Sequence, residues 1–393
     1  MKTPVLTLAL GSLLGLSFVA RADAPYIDPA NDAQHFGNAE NQLFWTPEQQ
    51  VSGFRNMEML SPARKVHAGG TPYPLPQHSV DLGSVEIATE DQAMTVDEYV
   101  VRQNVAGLIV VKDGKVLYER YELGNDANSR WISYSVAKSV TSLLVGAAIK
   151  DGYIKSVDES VTDYLPRLKK SSYDASTIRN LLQMSSGVQW DEDYADPESD
   201  INSAPWHTLS VYEYLRQKPR ESAPGEVFNY NTAETNLVGT LLRSAIGNNL
   251  STYLSEKIWR PFGMEHDAYW VLSEPGGGEF GGSSLNATLR DYARIGLFAM
   301  RNGELQNGRR VLPDGWMDES IAPSKGYAGY GYLWWLRGGG AYAARGIFGQ
   351  GIYINPAEKV VIALHSARAD ASVDSDRVLQ ATLYEALTNA VKN

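Results

Sequence analysis

The 393-residue chain contains no cysteine, which excludes disulfides, thiolate metal ligands and a lipidated cysteine anchor. Histidine is scarce: there are six, with no H-x-x-x-H pair, too few to build the ligand set of a metal hydrolase. Beyond residue 20 no apolar run is long enough to span a bilayer. There is also no internal repeat and no low-complexity tract; the nearest, Gly276-Gly277-Gly278 and Gly338-Gly339-Gly340, read as loops. Positive charge is in deficit, 35 Lys and Arg against 46 Asp and Glu, for a formal net charge of −11. That balance argues against nucleic acid or an anionic membrane surface as partner. No cofactor and no metal are expected, and the oligomeric state is not encoded in any of this.

What is present begins with a leader. Lys2, the apolar run Pro4 to Ala20 and the small-residue site Ala20-Arg21-Ala22 predict a signal peptide over 1–22, with cleavage after Ala22 or Ala24. The run is short and holds Gly11, Ser12, Gly15 and Ser17, which disfavours a membrane anchor. Export without disulfides suits a periplasm or the medium, with stability supplied by a large core.

Residues 23–94, rich in Pro, Gly, Asn and Gln, read as an N-terminal arm over a main domain spanning 95–393. Thr95 with Glu98 three residues on predicts a capped helix to Asn104. Leu108–Val111, the turn Lys112-Asp113-Gly114-Lys115 and Val116–Tyr121 predict a type I′ hairpin, whose apolar face the helix after Ser133 would cover. The stretch from about 165 to 300 reads as helical, including Thr232 to Ile246 and Thr288 to Met300, broken by an acidic loop from Asp191 to Pro205. Strands follow at Gly329–Leu336, Gly351–Pro356, which the segment from Ala344 enters, and Val360–His365, before a last helix, Asp374 to Ala390. Strands at both ends and helices between imply an α+β fold: one antiparallel sheet flanked by helices, with an inserted helical domain and the site at their boundary.

The chemistry centres on Ser133-Tyr134-Ser135-Val136-Ala137-Lys138-Ser139, the opening of a helix. Residues three apart share a helix face, so the Ser135 hydroxyl meets the Lys138 amine. Desolvation and the helix dipole favour the neutral amine there, which would let it serve as base. The Ser135 N–H, free at a helix start, is a donor for an oxyanion. S-x-x-K arises roughly once by chance in a chain this long, so context decides. It comes from Pro224-Gly225-Glu226-Val227-Phe228-Asn229-Tyr230-Asn231-Thr232 and Ala344-Arg345-Gly346-Ile347-Phe348-Gly349-Gln350-Gly351.

With these segments the chain resembles the serine β-lactamase and penicillin-binding-protein superfamily, and implies that fold. Within it the chain is most similar to 6-aminohexanoate-dimer hydrolases and related carboxylesterases. The resemblance implies that Tyr230 relays a proton, if nearby cations lower its pKa, that Thr232 stands where an Asn is usual, and that the Ile347 N–H is the second oxyanion donor. Ala344 and Arg345 replace the Lys/His-Thr that holds a β-lactam carboxylate, which disfavours β-lactams. Only one of the two can face the pocket, and Arg345 would restore part of that recognition if it did. Gln350 belongs to a Gly-x-x-Gly-Gln strand and Tyr194 to a loop that closes on substrate in the nylon-oligomer hydrolases; Tyr194, Thr232, Arg345 and Gln350 are thus expected at the substrate. The loop acids, Asp191 to Asp200, would attract a substrate ammonium or form a solvated face. The leading expectation is an exported serine hydrolase cleaving small linear amides or esters through an acyl-enzyme on Ser135; the alternatives are a carboxylesterase or β-lactamase of the same fold, or a non-hydrolytic sensor of the penicillin-binding type.

Overall fold

The computed structural model describes residues 24–90 and 92–392; the leader expected at 1–22 lies outside them. The strands are β1 (Ala63–Val66), β2 (Glu86–Ala88), β3 (Ala93–Thr95), β4 (Val105–Lys112), β5 (Lys115–Tyr121), β6 (Arg130–Ile132), β7 (Ala268–Val271), β8 (Leu285–Thr288), β9 (Trp335–Leu336), β10 (Tyr342–Arg345), β11 (Gly351–Asn355) and β12 (Val360–Ser366). The helices that position the site are α1 (Pro47–Arg55), α2 (Val96–Arg102), α3 (Val136–Lys150), α4 (Thr232–Ile246), α5 (Leu289–Met300) and α6 (Asp374–Ala390). None of the described helices is long and apolar enough to cross a membrane.

Local signals produce most of these elements. Thr95 and Glu98 form a reciprocal capping box at the start of α2. Asp113 (φ 49°) and Gly114 (φ 75°) both take positive φ, the two-residue turn that matches strand twist and joins β4 to β5. Asn231 caps α4 by accepting from the Glu234 N–H, and Gly247 (φ 63°) ends that helix in the left-handed region.

The main sheet is antiparallel, in the order β5-β4-β12-β11-β10-β9. Side chains alternate across it, so Leu108, Val110, Ile362 and Leu364 pack under α2 and α6, while Ile109, Val111, Val361 and Ala363 join the larger core on the other face. The helix laid across β4, β11 and β12 on that face is α5. The expectation that α3 covers the hairpin is thereby corrected: α3 packs on α4 and reaches the sheet at β10. A helix apolar all round belongs in an interior, and every residue of α3 from Val136 to Ala148 is buried.

Three further differences arise from long-range pairing. The N-terminal arm is structured: β1 pairs with β7 in a second antiparallel sheet, ordered β1-β7-β8-β6, so the middle stretch carries strands β7 and β8 beside its helices. Residues 329–334 are not a strand. Their backbone curls so that Tyr330, Tyr332 and Trp334 enter the core, with the Tyr332 N–H donating to Ser320 O and the Leu333 N–H to Leu182 O. The strand expected at Gly351–Pro356 is β11, Gly351–Asn355, but Ala344 and Arg345, expected to lead into it, lie on a strand of their own, β10, paired with it from Tyr342 opposite Ile354 to Arg345 opposite Gly351.

Candidate active site

Ser135 sits at the N-cap of α3, yet its side chain makes no capping bond. A serine there ordinarily satisfies a first-turn amide; this hydroxyl is left for other work. The residue before it, Tyr134, has φ 43°, a conformation costly for a bulky side chain and kept only where packing over-determines it. Phe54 of α1 (5.3 Å) and Phe348 (5.1 Å) clamp its ring.

Lys138 Nζ lies 3.0 Å from Ser135 Oγ, 3.0 Å from Thr232 Oγ1 and 2.8 Å from Gly282 O. The Thr232 hydroxyl donates to Glu192 Oε1, so toward Lys138 it can only accept, and the Gly282 carbonyl only accepts. A neutral amine has two N–H donors and one lone pair. As the ammonium, Lys138 donates to all three; once neutral, it would spend both donors on Thr232 and Gly282 and turn its lone pair to the Ser135 O–H. Burial pushes the Lys138 ammonium down to about 8 against an upward pull from Glu192, so the neutral form is within reach near neutral pH. Gly282 reaches the lysine because the loop is pressed onto α4: a Cβ on Gly281 would lie 2.7 Å from Thr235 O and 2.9 Å from the Gly239 Cα.

Tyr230 stacks on Trp335 (5.7 Å) with Lys138 Nζ 5.1 Å from its ring centre. Nearby cations do not lower its pKa overall, which was the condition set for its relay role. Burial first and the Glu192 charge second push the phenol up, outweighing the Ser135 hydroxyl, Arg345 and Arg377. Tyr230 therefore keeps a proton it could give, and Lys138 presents an amine that could take one.

Among the described residues, neither the Ser135 N–H nor the Ile347 N–H donates within the chain, and both residues line the same cavities. Ile347 lies in the turn between β10 and β11, not on a strand. That turn is held by Gln350, whose Oε1 accepts from the Phe348 N–H (3.2 Å) and whose Nε2 donates to Ser366 O (3.1 Å). Gln350, expected at the substrate, is fully buried; its side chain is spent on the turn and has no face toward either cavity.

Two cavities meet at Ser135, Tyr194 and Ile347. The first, about 530 Å³, holds Tyr230, Trp335, Arg345, Arg368 and Arg377. Strand alternation resolves with Ala344 buried in the core and Arg345 on the cavity wall, its guanidinium 5.1 Å from the Trp335 ring. Burial and the neighbouring Arg337 and Arg377 push Arg345 down to about 10, still charged at neutral pH. The second cavity, about 350 Å³, contains Thr232 but not Tyr230. Tyr194 stands between them, its hydroxyl donating to Glu192 Oε1 at 2.7 Å.

Glu192 is the residue whose part the sequence concealed. Read as one acid of a solvated loop, it turns inward and accepts from Trp190 Nε1, Tyr194 Oη, Thr232 Oγ1 and the Thr232 N–H at the start of α4, where a carboxylate is favoured. Arg368 and Arg377 come from the loop after β12 and from α6 and carry no motif; Gly282 contributes only a carbonyl. No group of three or more His, Cys, Asp or Glu among the described residues could hold a metal ion.

Residues 93–385 match a family model described as Beta-lactamase. A 6-aminohexanoate-dimer hydrolase from Paenarthrobacter ureafaciens is 29% identical over 284 residues, 66% of this chain and 71% of its own. A beta-lactamase from Yersinia enterocolitica is 23% identical over 184 residues, 44% of each chain. Among solved structures, a "Putative 6-aminohexanoate-dimer hydrolase from Bacillus anthracis" superposes with a TM-score of 0.79 at 23% identity, over 88% of this chain and 95% of that one; at that identity the likeness speaks to the fold alone.

Proposed function

The chain belongs to the beta-lactamase family and is a serine hydrolase, and we propose that it cleaves linear amides or esters through an acyl-enzyme on Ser135. The observation that carries the reading is the acceptor set around Lys138: Nζ lies 3.0 Å from Thr232 Oγ1 and 2.8 Å from Gly282 O, so the neutral amine would spend its two N–H donors there and keep its lone pair for Ser135 Oγ, 3.0 Å away. As Ser135 Oγ bonds to the carbonyl carbon, its proton passes to Lys138, and the developing oxyanion meets the Ser135 and Ile347 N–H groups. Collapse breaks the bond to the leaving amine or alkoxide, which takes a proton from Tyr230; Lys138 returns one to the phenol. Water then repeats the sequence on the acyl-enzyme, with Lys138 as base and Ser135 as leaving group. Arg345 on the wall beside Tyr230 favours leaving groups that end in a carboxylate.

That arginine also supports a second reading, hydrolysis of β-lactams, whose carboxylate needs a cationic anchor. The missing Lys/His-Thr pair weighs against it. The leader supports export to a periplasm or the medium, and sequencing the mature N-terminus for a cut after Ala22 or Ala24 tests that.

The deciding experiment is labelling with a serine-directed phosphonate, followed by kcat/KM for an ester, a linear amide dimer and a cephalosporin. We expect the adduct on Ser135, loss of turnover in Ser135→Ala, and the ester and amide well ahead of the cephalosporin. An adduct elsewhere overturns the mechanism; comparable kcat/KM for the cephalosporin overturns the substrate class in favour of β-lactams.

A further inference from the structure

The proton donor divides the two cavities by role. The leaving group departs beside the group that protonates it, and Tyr230 lines only the 530 Å³ cavity, with Arg345, Arg368 and Arg377. The acyl side of the scissile bond must then extend the other way from Ser135, past Tyr194, Thr232 and Ile347 into the 350 Å³ cavity. Leu43, Ile201, Trp206, Val271 and Phe280 form its apolar wall, with the neutral polar side chains of Asn41, Gln42, Asn202, Ser283 and Ser284 between them; its one acid, Glu40, is exposed. A charged terminus placed there would lose its hydration without finding a counter-ion.

One wall belongs to the N-terminal arm, residues Glu40 to Phe44, outside the stretch 93–385 that matches the family model. That wall is anchored. Arg55 of α1 is buried in a two-pronged ion pair with Asp32 (2.7 and 2.8 Å) and donates to Ile27 O and Leu123 O. Trp45, directly after the wall, stacks on Phe54 at 5.9 Å, the same ring that clamps Tyr134. Gly53 admits that indole, since a Cβ there would lie 2.2 Å from it.

We propose that the 350 Å³ cavity is an acyl pocket for an uncharged, apolar chain, and that the arm, through Leu43, limits the length of chain it takes. The proposal rests on the acyl-enzyme reading and adds the acyl group's chemistry to it. Each methylene buried there contributes about a fourfold gain. An ammonium at the far end of the acyl chain forfeits that gain.

The test uses p-nitrophenyl acetate, butyrate, hexanoate and 6-aminohexanoate on the full chain. In the wild type kcat/KM should rise at least tenfold from acetate to butyrate, and hexanoate should exceed 6-aminohexanoate at least tenfold. In Leu43→Trp the hexanoate-to-acetate ratio should fall at least tenfold. A flat acyl series, or preference for the ammonium-terminated ester, overturns the pocket assignment, and the wild-type series decides this even if the variant fails to fold. An unchanged ratio in a folded Leu43→Trp overturns the role of the arm. Failure of the underlying reading looks different: no phosphonate adduct on Ser135 and no ester turned over at any length.

Discussion

Replacing Glu192 by Gln tests whether this half-buried carboxylate sets the working pH of Lys138. Glutamine keeps the shape, and its one oxygen can still accept from the Tyr194 and Thr232 hydroxyls, but its NH2 cannot accept from Trp190 Nε1 and the Thr232 N–H, so the charge is lost together with those two bonds. The path from Lys138 Nζ to Glu192 runs through the Thr232 hydroxyl, and two hydrogen bonds end to end span at most about 6 Å. A unit charge at that distance is worth roughly 3 kcal/mol at an effective dielectric of 20 and under 1 kcal/mol in water, or about half a unit to two units of pKa. The sign is fixed. The carboxylate stabilises the ammonium and holds Lys138 up at about 8; removing it lowers that value and frees the amine at lower pH. The assay is kcat/KM against pH with a p-nitrophenyl ester. In the wild type the rate should rise through about pH 8, and in Glu192→Gln the same limb should move toward acid by at least half a unit, whatever happens to its height. A limb that stays put, or moves toward alkaline pH, refutes the claim that Glu192 acts on Lys138 by charge.

Tyr230→Phe removes the proton donor, so amide turnover should drop by several orders of magnitude while a p-nitrophenyl ester, whose leaving group departs unprotonated, loses far less; equal losses would contradict the assignment. Arg345→Gln should raise KM for substrates whose leaving group ends in a carboxylate by about tenfold or more and leave neutral esters nearly unaffected, the expected cost of one charge-assisted contact. Glu234 is buried with Oε2 unpartnered and its carboxyl pushed by burial from 4.5 up to about 8. The folded state therefore holds a proton that the unfolded state releases, and this group's contribution, full below pH 4.5, is lost as pH rises to 8; at roughly 1.4 kcal/mol per unit the ceiling is a few kcal/mol. Thermal melts should show Glu234→Gln gaining stability over the wild type between pH 5 and 9, and a gap that does not grow with pH would refute it.

Where structure follows from neighbours in sequence, reading the chain was enough. The Thr95–Glu98 cap, the Asp113-Gly114 turn, the bounds of α4 between Asn231 and Gly247, and the face shared by Ser135 and Lys138 all rest on backbone geometry within one turn. What escaped depends on elements far apart. Glu192 reads as solvated because its loop is acidic, and only docking against the N-terminus of α4 turns it inward. Tyr230 has cations nearby, but how deeply it is buried, which decides the direction of its shift, is a property of the packed whole. The pairing of β1 with β7 and the curl of residues 329–334 likewise have no local signature.

If the proposed acyl-enzyme forms with its acyl chain in the arm-side pocket, the meeting of the two cavities at Ser135 imposes an order of events. While the acyl chain occupies the arm-side pocket, the departing fragment blocks the other, so the second nucleophile can enter only through the space the first product has vacated. That space is lined by Arg345, Arg368, Arg377 and Trp335 and, on the Tyr194 loop, by Glu192 and Asp193. Water meets no competition in dilute solution, but an amine that carries a carboxylate, such as an amino acid, fits the same walls as the fragment that left. Partitioning between hydrolysis and ligation then becomes a matter of acceptor concentration, and adding an amino acid should divert ester turnover toward the N-acyl product, whereas a neutral amine of equal basicity should do so less.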